Sequence, residues 1–272
     1  MINILKLLIG PYRKIYFRIL GLFLFRYIPA GYSSVSAVNI ASDIDYKIPE
    51  RAVVTEYMDL FYFPIVILAR AGSARKNNLR LKEDIIRASQ VLEKIYQNNY
   101  IIYKNSQSTF IRKPTKNISV KILHFFDRNR NCYPSLHAQI LTEMFNVLSD
   151  HPEVISKDEL VKRTVVILES CFLTKQHSLA DIGAGFAGVT IIDPSFSEEK
   201  AQDLISQIFL DRDYGMSTEL RNNIRNNILF LYQKLVKESH TKSYSEVLSP
   251  RNRVTDIHGQ SSYLNSQNKF RD

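Results

Sequence analysis

Pro134-Ser135-Leu136-His137-Ala138 and, forty residues on, Thr174-Lys175-Gln176-His177 followed by Asp181 are the stretches on which the reading of this chain turns. They hold two histidines, a carboxylate spaced to orient one of them, and a cation beside it. No other part of the 272 residues is as dense in usable chemistry.

The second stretch reads as the end of a long helix. Asp158 to Gln176 contains no Pro or Gly, and Leu160, Val161, Val165, Ile167, Leu168 and Phe172 suit a mostly buried helix. If the helix continues through Ala180, His177 and Asp181 share a face at i,i+4 spacing. The Asp181 carboxylate then accepts from one ring nitrogen and leaves the other free to act as a nucleophile. Gly183, Gly185 and Gly188, with Ala184 and Ala187, follow as small residues that let a helix or ligand approach closely. The bland alternative is a surface His–Asp pair next to a packing face.

The first stretch begins with a polar, basic loop, Asp127 to Asn131, and becomes helical from Leu136 to Leu148. Pro134 and Ser135 suit a helix start, where unpaired backbone N–H groups and the Ser135 hydroxyl make an anion site. His137 falls in the first turn and can act as a proton donor there. Taken alone, this too reads as ordinary capping. Taken together, the two stretches hold the inventory for moving a phosphoryl group through a covalent histidine intermediate.

The combined pattern resembles the type 2 phosphatidic acid phosphatase (PAP2) and haloperoxidase superfamily, which also holds bacterial acid phosphatases. Within it, the chain is most similar to the branch of inositol-phosphoceramide synthases and their bacterial relatives. The matching residues are Asp127, then Asn131-Cys132-Tyr133-Pro134-Ser135-Leu136-His137, and Ser170, Thr174, Lys175, His177, Asp181 and Ala184-Gly185. The resemblance runs over roughly residues 50–190. It implies that His177 is the nucleophile, that Asp181 orients it, and that His137 protonates the leaving alkoxide. The superfamily's upstream Lys-x6-Arg-Pro appears here as Lys104 and Arg112-Lys113-Pro114, one residue too long and with Lys113 intruding. Arg112 is the better phosphate ligand of that pair and Lys104 the weaker. The superfamily's Arg after Ser170 is Cys171 here, and Lys175 stands in for it. Ser135 with its neighbouring amides completes the phosphate-binding set.

Fixed cations and N–H donors around the equatorial oxygens supply much of the catalysis of phosphoryl transfer, so neither a metal nor another cofactor is expected. No His/Cys/Asp/Glu group has metal-ligand spacing, and Cys132 and Cys171 lack a paired cysteine nearby. His124, His151, His240 and His258 read as bystanders.

Relatives in this branch are polytopic membrane proteins, whereas this chain has a mean hydropathy of −0.16. No stretch approaches the roughly 18 uninterrupted apolar residues of a spanning helix. A membrane-peripheral or cytoplasmic version of the fold is therefore expected. The formal charge of +9 favours anionic partners: a phosphorylated substrate, a lipid phosphate first among them, and an acidic membrane surface. No nucleic-acid-binding module is recognisable. Residues 1–29 mix Lys6, Arg13, Lys14, Arg18 and Arg26 with apolar side chains. Three readings stay open: an interfacial helix, a weak signal cleaved near Ser33–Ala37, and a first helix packed on the domain.

The expected architecture is all-α, a helical bundle of the PAP2/acid phosphatase–haloperoxidase type. Residues 30–238 form the domain and residues 239–272 a polar, disordered tail. The expected activity is metal-independent phosphoryl transfer on a phosphate ester, to water or to an alcohol, through a phosphohistidine. The competing expectation is a non-catalytic, membrane-peripheral helical protein that retains an anion pocket.

Overall fold

The computed structural model describes residues 10–30, 35, 37–74, 78–109, 112, 114–127 and 132–252. Most of the proposed cleavage site, most of the Asp127–Asn131 loop, Lys113, and residues 253–272 with His258 lie outside the described residues.

Helices dominate. They are α1 (Arg13–Leu22), α2 (Asp43–Lys47), α3 (Val54–Ala74), α4 (Leu79–Asn105) and α5 (Ile118–Phe126). The series continues with α6 (Leu136–Leu148), α7 (Lys157–Leu173), α8 (Leu179–Ile192), α9 (Glu198–Gln207), α10 (Thr218–Glu238) and α11 (Tyr244–Val247). One small parallel sheet pairs β1 (Ala37–Asn39) with β2 (Gln107–Thr109), Val38 opposite Ser108. The segment from Ala30 to Arg51 carries β1 and α2.

The helix starts follow from the sequence. Ser135, Ser156, Ser178, Ser197 and Ser217 cap α6 to α10, each hydroxyl accepting from the amide three residues on. Each such cap contributes about 1 kcal/mol.

The core is built around α8, whose residues Leu179 to Val189 are all buried. A helix apolar all round belongs inside other helices, and α8 packs against α10 on one side and α6 on another. Its glycines set the distance. A Cβ on Gly185 would lie 2.6 Å from the Ala138 Cβ, and one on Gly188 would lie 2.4 Å from Gln139 Nε2. Side chains at these positions would force α6 away. The Ser135 amide also donates to the Asp181 carbonyl at 2.9 Å, which fixes the N-terminus of α6 against that of α8.

Two expectations need correction. The helix ending in the second motif does not run through Ala180: α7 stops at Leu173, and a new helix starts at Leu179. The polar tail does not begin at Ser239. Val247 and Leu248 are fully buried, and the Tyr244 hydroxyl accepts from Gln139 Nε2 at 2.8 Å and donates to Asn99 Oδ1 at 3.1 Å. Of the N-terminal segment, the part from Arg13 onward packs on α4. Arg18 pairs with Glu93 at 2.6 Å, and the Arg26 guanidinium sits 5.2 Å from the Tyr100 ring centre. No helix among the described residues is long and apolar enough to cross a membrane.

Candidate active site

The site begins with the way α7 ends. The Gln176 amide donates to the Cys171 carbonyl at 3.0 Å and the Lys175 amide to the Phe172 carbonyl at 3.1 Å. That is a Schellman closure with Lys175 at the left-handed position, φ 59°. Glycine is usual there, because a Cβ costs about 1–2 kcal/mol in that conformation. Lys175 has a compensating use: its Nζ donates to the carbonyls of Asp45 at 2.9 Å and Ile48 at 2.5 Å, at the end of α2.

The turn delivers His177 directly before Ser178, the cap of α8. Ser178 and Asp181 form a capping box: the Ser178 hydroxyl accepts from the Asp181 amide, and Asp181 Oδ2 accepts from the Ser178 amide at 2.6 Å. This fixes the Asp181 carboxylate. Asp45 reinforces the same helix start by accepting from the Leu179 amide at 2.7 Å through Oδ1. Burial pushes the Asp45 carboxyl up to about 6, against the lowering effect of its hydrogen bonds to the Ser42 and Leu179 amides.

His137, in the first turn of α6, meets His177 directly. Its Nδ1 lies 2.9 Å from His177 Nε2, and both rings are buried. On its other side, His137 Nε2 lies 2.7 Å from the Tyr57 hydroxyl of α3, which in turn donates to the Asp127 carboxylate in a short contact. Burial, with a smaller contribution from His177, pushes His137 well below the ordinary imidazole value, so the ring rests neutral. Burial also raises Tyr57, with Asp127 adding to it.

The pair expected at i,i+4 spacing is close but not hydrogen-bonded: His177 Nδ1 is 3.7 Å from Asp181 Oδ2. His177 Nδ1 and Asp181 Oδ1 are both buried without a hydrogen-bond partner.

Arg112 reaches the same turn. Its Nε donates to the Lys175 carbonyl at 3.0 Å, one Nη donates to the Asp127 carbonyl at 3.2 Å, and the other to Gln176 Oε1 in a short contact. A guanidinium has five N–H donors, so two stay available for a ligand. Desolvation pulls its pKa down, but a guanidinium stays charged in such surroundings. Ser135 is buried, and its hydroxyl is used as the α6 cap.

The structure therefore gathers His177, Asp181, His137, Arg112 and Ser135 at the facing ends of α6 and α8. Lys175 is in the turn, but its ammonium is directed to α2. Lys104 stands exposed in the last turn of α4, outside the hydrogen-bonded network of the site. Cys171, where a cation was missing, is fully buried, and its carbonyl accepts the Gln176 and His177 amides. His124, read as a bystander, donates from Nε2 to the Thr174 carbonyl at 2.7 Å and steadies the same turn.

Sequence reasoning missed Tyr57 and Asp45, which lie 80 and 134 residues from their site partners His137 and Leu179. It also missed a donor set. Cys132, His177 and Asp181 each place a ligand atom within 4.8 Å of the others, all buried, although their spacing in sequence matches no metal motif.

A cavity of about 160 Å³ lies beside His137. Ile19 and Phe23 from the N-terminal segment, Leu60 from α3, Leu92 from α4 and Ile140 from α6 represent its apolar wall, and His137 is part of that wall.

The chain matches no family model, no curated protein and no solved structure.

Proposed function

We propose that this chain is a phosphoryl-transfer enzyme of the PAP2 and haloperoxidase type, acting on the phosphate ester of an amphiphile through a phosphohistidine. One observation carries the reading. The two motif histidines meet at 2.9 Å in a buried site, one beside the Asp181 carboxylate and the other linked through Tyr57 to Asp127.

His177 Nε2 attacks phosphorus while the bond from phosphorus to the ester oxygen breaks. His137, protonated once the anionic phosphate is bound beside it, gives that proton to the departing oxygen. Water or an alcohol then attacks the phosphohistidine, its proton passes to His137, and the P–N bond breaks to restore His177. Attack needs a lone pair on Nε2, and hence a proton on Nδ1 facing Asp181. His177 reaches that state when its contact with His137 parts and the ring takes the tautomer with its proton on Nδ1, facing Asp181. The phosphate enters between the two rings, which part from their resting contact. Arg112 and the amides at the start of α6 face the charge that builds on the equatorial oxygens, where one such donor contributes about 10²–10³ in rate.

An amphiphilic substrate is supported by the cavity, whose wall is apolar and includes His137. Residence at a bilayer surface is supported by α5. Ile118, Ile122 and Phe125, at i, i+4 and i+7, are 73%, 55% and 77% exposed, with Lys121 beside them.

Lys175 favours a second reading, a membrane-peripheral protein with a non-catalytic anion pocket, because its charge is turned away toward the α2 carbonyls. Turnover separates the two. The full chain, in EDTA, is given phosphatidic acid in mixed micelles and an aryl phosphate, beside His177→Ala and His137→Ala. Loss of at least ~10³ in His177→Ala, and of ~10²–10⁴ in His137→Ala, supports the enzyme; undiminished turnover in His177→Ala refutes it.

A further inference from the structure

We infer that Cys132, His177 and Asp181 form a binding site for a thiophilic divalent cation, Zn²⁺ above all. The inference stands on hydrogen-bond direction and geometry. Tyr57 donates to Asp127, so its oxygen accepts from His137 Nε2–H. Neutral His137 then has a lone pair on Nδ1, which accepts from His177 Nε2–H. Neutral His177 is left with a bare lone pair on Nδ1, 3.7 Å from the Asp181 carboxylate. Two acceptors thus face each other inside the protein, and neither His177 Nδ1 nor Asp181 Oδ1 has a hydrogen-bond partner. Such an arrangement calls for a positive charge between the acceptors, a proton or a cation.

Cys132 makes the cation the better occupant. Its sulfur, a ring nitrogen of His177 and a carboxylate oxygen of Asp181 lie within 4.8 Å of one another, in the group of this kind found among the described residues. Ligand atoms bound to one tetrahedral Zn²⁺ at about 2.0–2.3 Å lie about 3.3–3.8 Å apart, so closing on the ion takes movements of up to about 1 Å. Thiolate and carboxylate together cancel the charge of a divalent ion, which suits a site where all three residues are buried. Thiolate selects zinc-like metals over magnesium and calcium. Binding moves the Cys132 thiol proton to solvent as the sulfur–metal bond forms.

The surroundings already hold two of the ligands. Asp181 Oδ2 is tied to the Ser178 amide at 2.6 Å, which leaves Oδ1 for the metal, and His177 Nε2 is tied to His137. Outer hydrogen bonds of this kind orient ligands in metal sites. Three protein ligands leave one position for water or a phosphate oxygen. Metal on Nδ1 also keeps the proton on Nε2, so the loaded protein has no nucleophilic nitrogen at His177. This last consequence rests on the phosphohistidine reading; the binding site does not.

Co²⁺ and Zn²⁺ are added to the full-length protein, stripped of metal and reduced, beside Cys132→Ser. The expected result is one equivalent of Co²⁺ with the near-ultraviolet thiolate-to-cobalt band. Cys132→Ser loses the band, binds metal at least ~10-fold more weakly, and keeps its far-ultraviolet dichroism. Zn²⁺ raises the melting temperature of the parent alone. Absence of the band in the parent, or equal affinity in Cys132→Ser, overturns the site. With the band present, Zn²⁺ suppresses turnover of the parent but not of Cys132→Ser; a zinc-loaded parent with full turnover leaves the metal site standing and counts against His177 as the nucleophile.

Discussion

The amide of Ser135 donates to the carbonyl of Asp181 at 2.9 Å, so the two helices that carry the motifs begin against one another. Local capping fixes each helix start, and this single bond brings the starts together. His137, two residues after Ser135, and His177, four residues before Asp181, are thereby placed face to face. The site is a property of how α6 meets α8.

Gly185 holds that meeting at its closest point. Gly185→Ala puts a methyl 2.6 Å from the Ala138 Cβ and 3.0 Å from the Ser135 carbonyl. It should destabilise the protein by about 1–3 kcal/mol and reduce turnover by more than its stability loss alone accounts for. Gly21→Ala meets nothing within 4 Å and lies in α1, so it should stabilise by up to ~1 kcal/mol. Urea unfolding of both variants checks the pair of signs.

Tyr57→Phe keeps the ring and removes the hydroxyl that joins Asp127 to His137. Turnover on an aryl phosphate should fall ~10–10²-fold through kcat with little change in KM, because His137 loses the partner that sets its tautomer. The missing bonds should cost about 1–3 kcal/mol of stability. A change confined to KM would assign Tyr57 to substrate binding instead.

Lys175 separates clamping from phosphate binding. Lys175→Ala removes the contacts to the Asp45 and Ile48 carbonyls and keeps a Cβ at φ 59°, whereas Lys175→Gly relieves the backbone. The glycine variant should be about 1 kcal/mol more stable than the alanine variant, and both should retain KM within ~3-fold. A KM raised tenfold in both would show that the ammonium turns to the substrate.

Glu143 governs a pH effect remote from the histidines. It is fully buried in α6, and burial, with Asp193 adding, pushes its carboxyl from 4.5 up to about 8. The folded state therefore holds this proton more tightly than the unfolded chain. Its contribution to stability is complete below about pH 4.5 and is lost as pH rises through about 8. Glu143→Gln should remove that slope and exceed the parent in stability at pH 8.5 by a few kcal/mol. Denaturant titrations at pH 5, 7 and 8.5 check it.

Much of the bundle was legible in the sequence because its signals are local. The sequence pattern located α6 and most of α7, and Ser135 marked the start of α6. The break after α7 was hidden for a physical reason. A left-handed closure announces itself by glycine, and here Lys175 occupies it, held by α2. Tyr57, Asp45 and Tyr244 were equally hidden, since each acts through contacts 80 to 145 residues away in the chain. The histidine pair was foreseen as chemistry, but the Cys132–His177–Asp181 grouping was not, because spacing rules register only ligands that are near in sequence.

The central claim is that His177 carries the phosphoryl group. The full-length protein, stripped of metal, is mixed with an aryl phosphate, quenched in base within milliseconds, digested, and analysed by mass spectrometry. An acid-labile, base-stable phosphate on the peptide containing His177, formed and consumed at rates consistent with turnover and absent in His177→Ala, is the predicted result. Steady turnover with no phosphate on that peptide at any quench time, or the same adduct in His177→Ala, would contradict it.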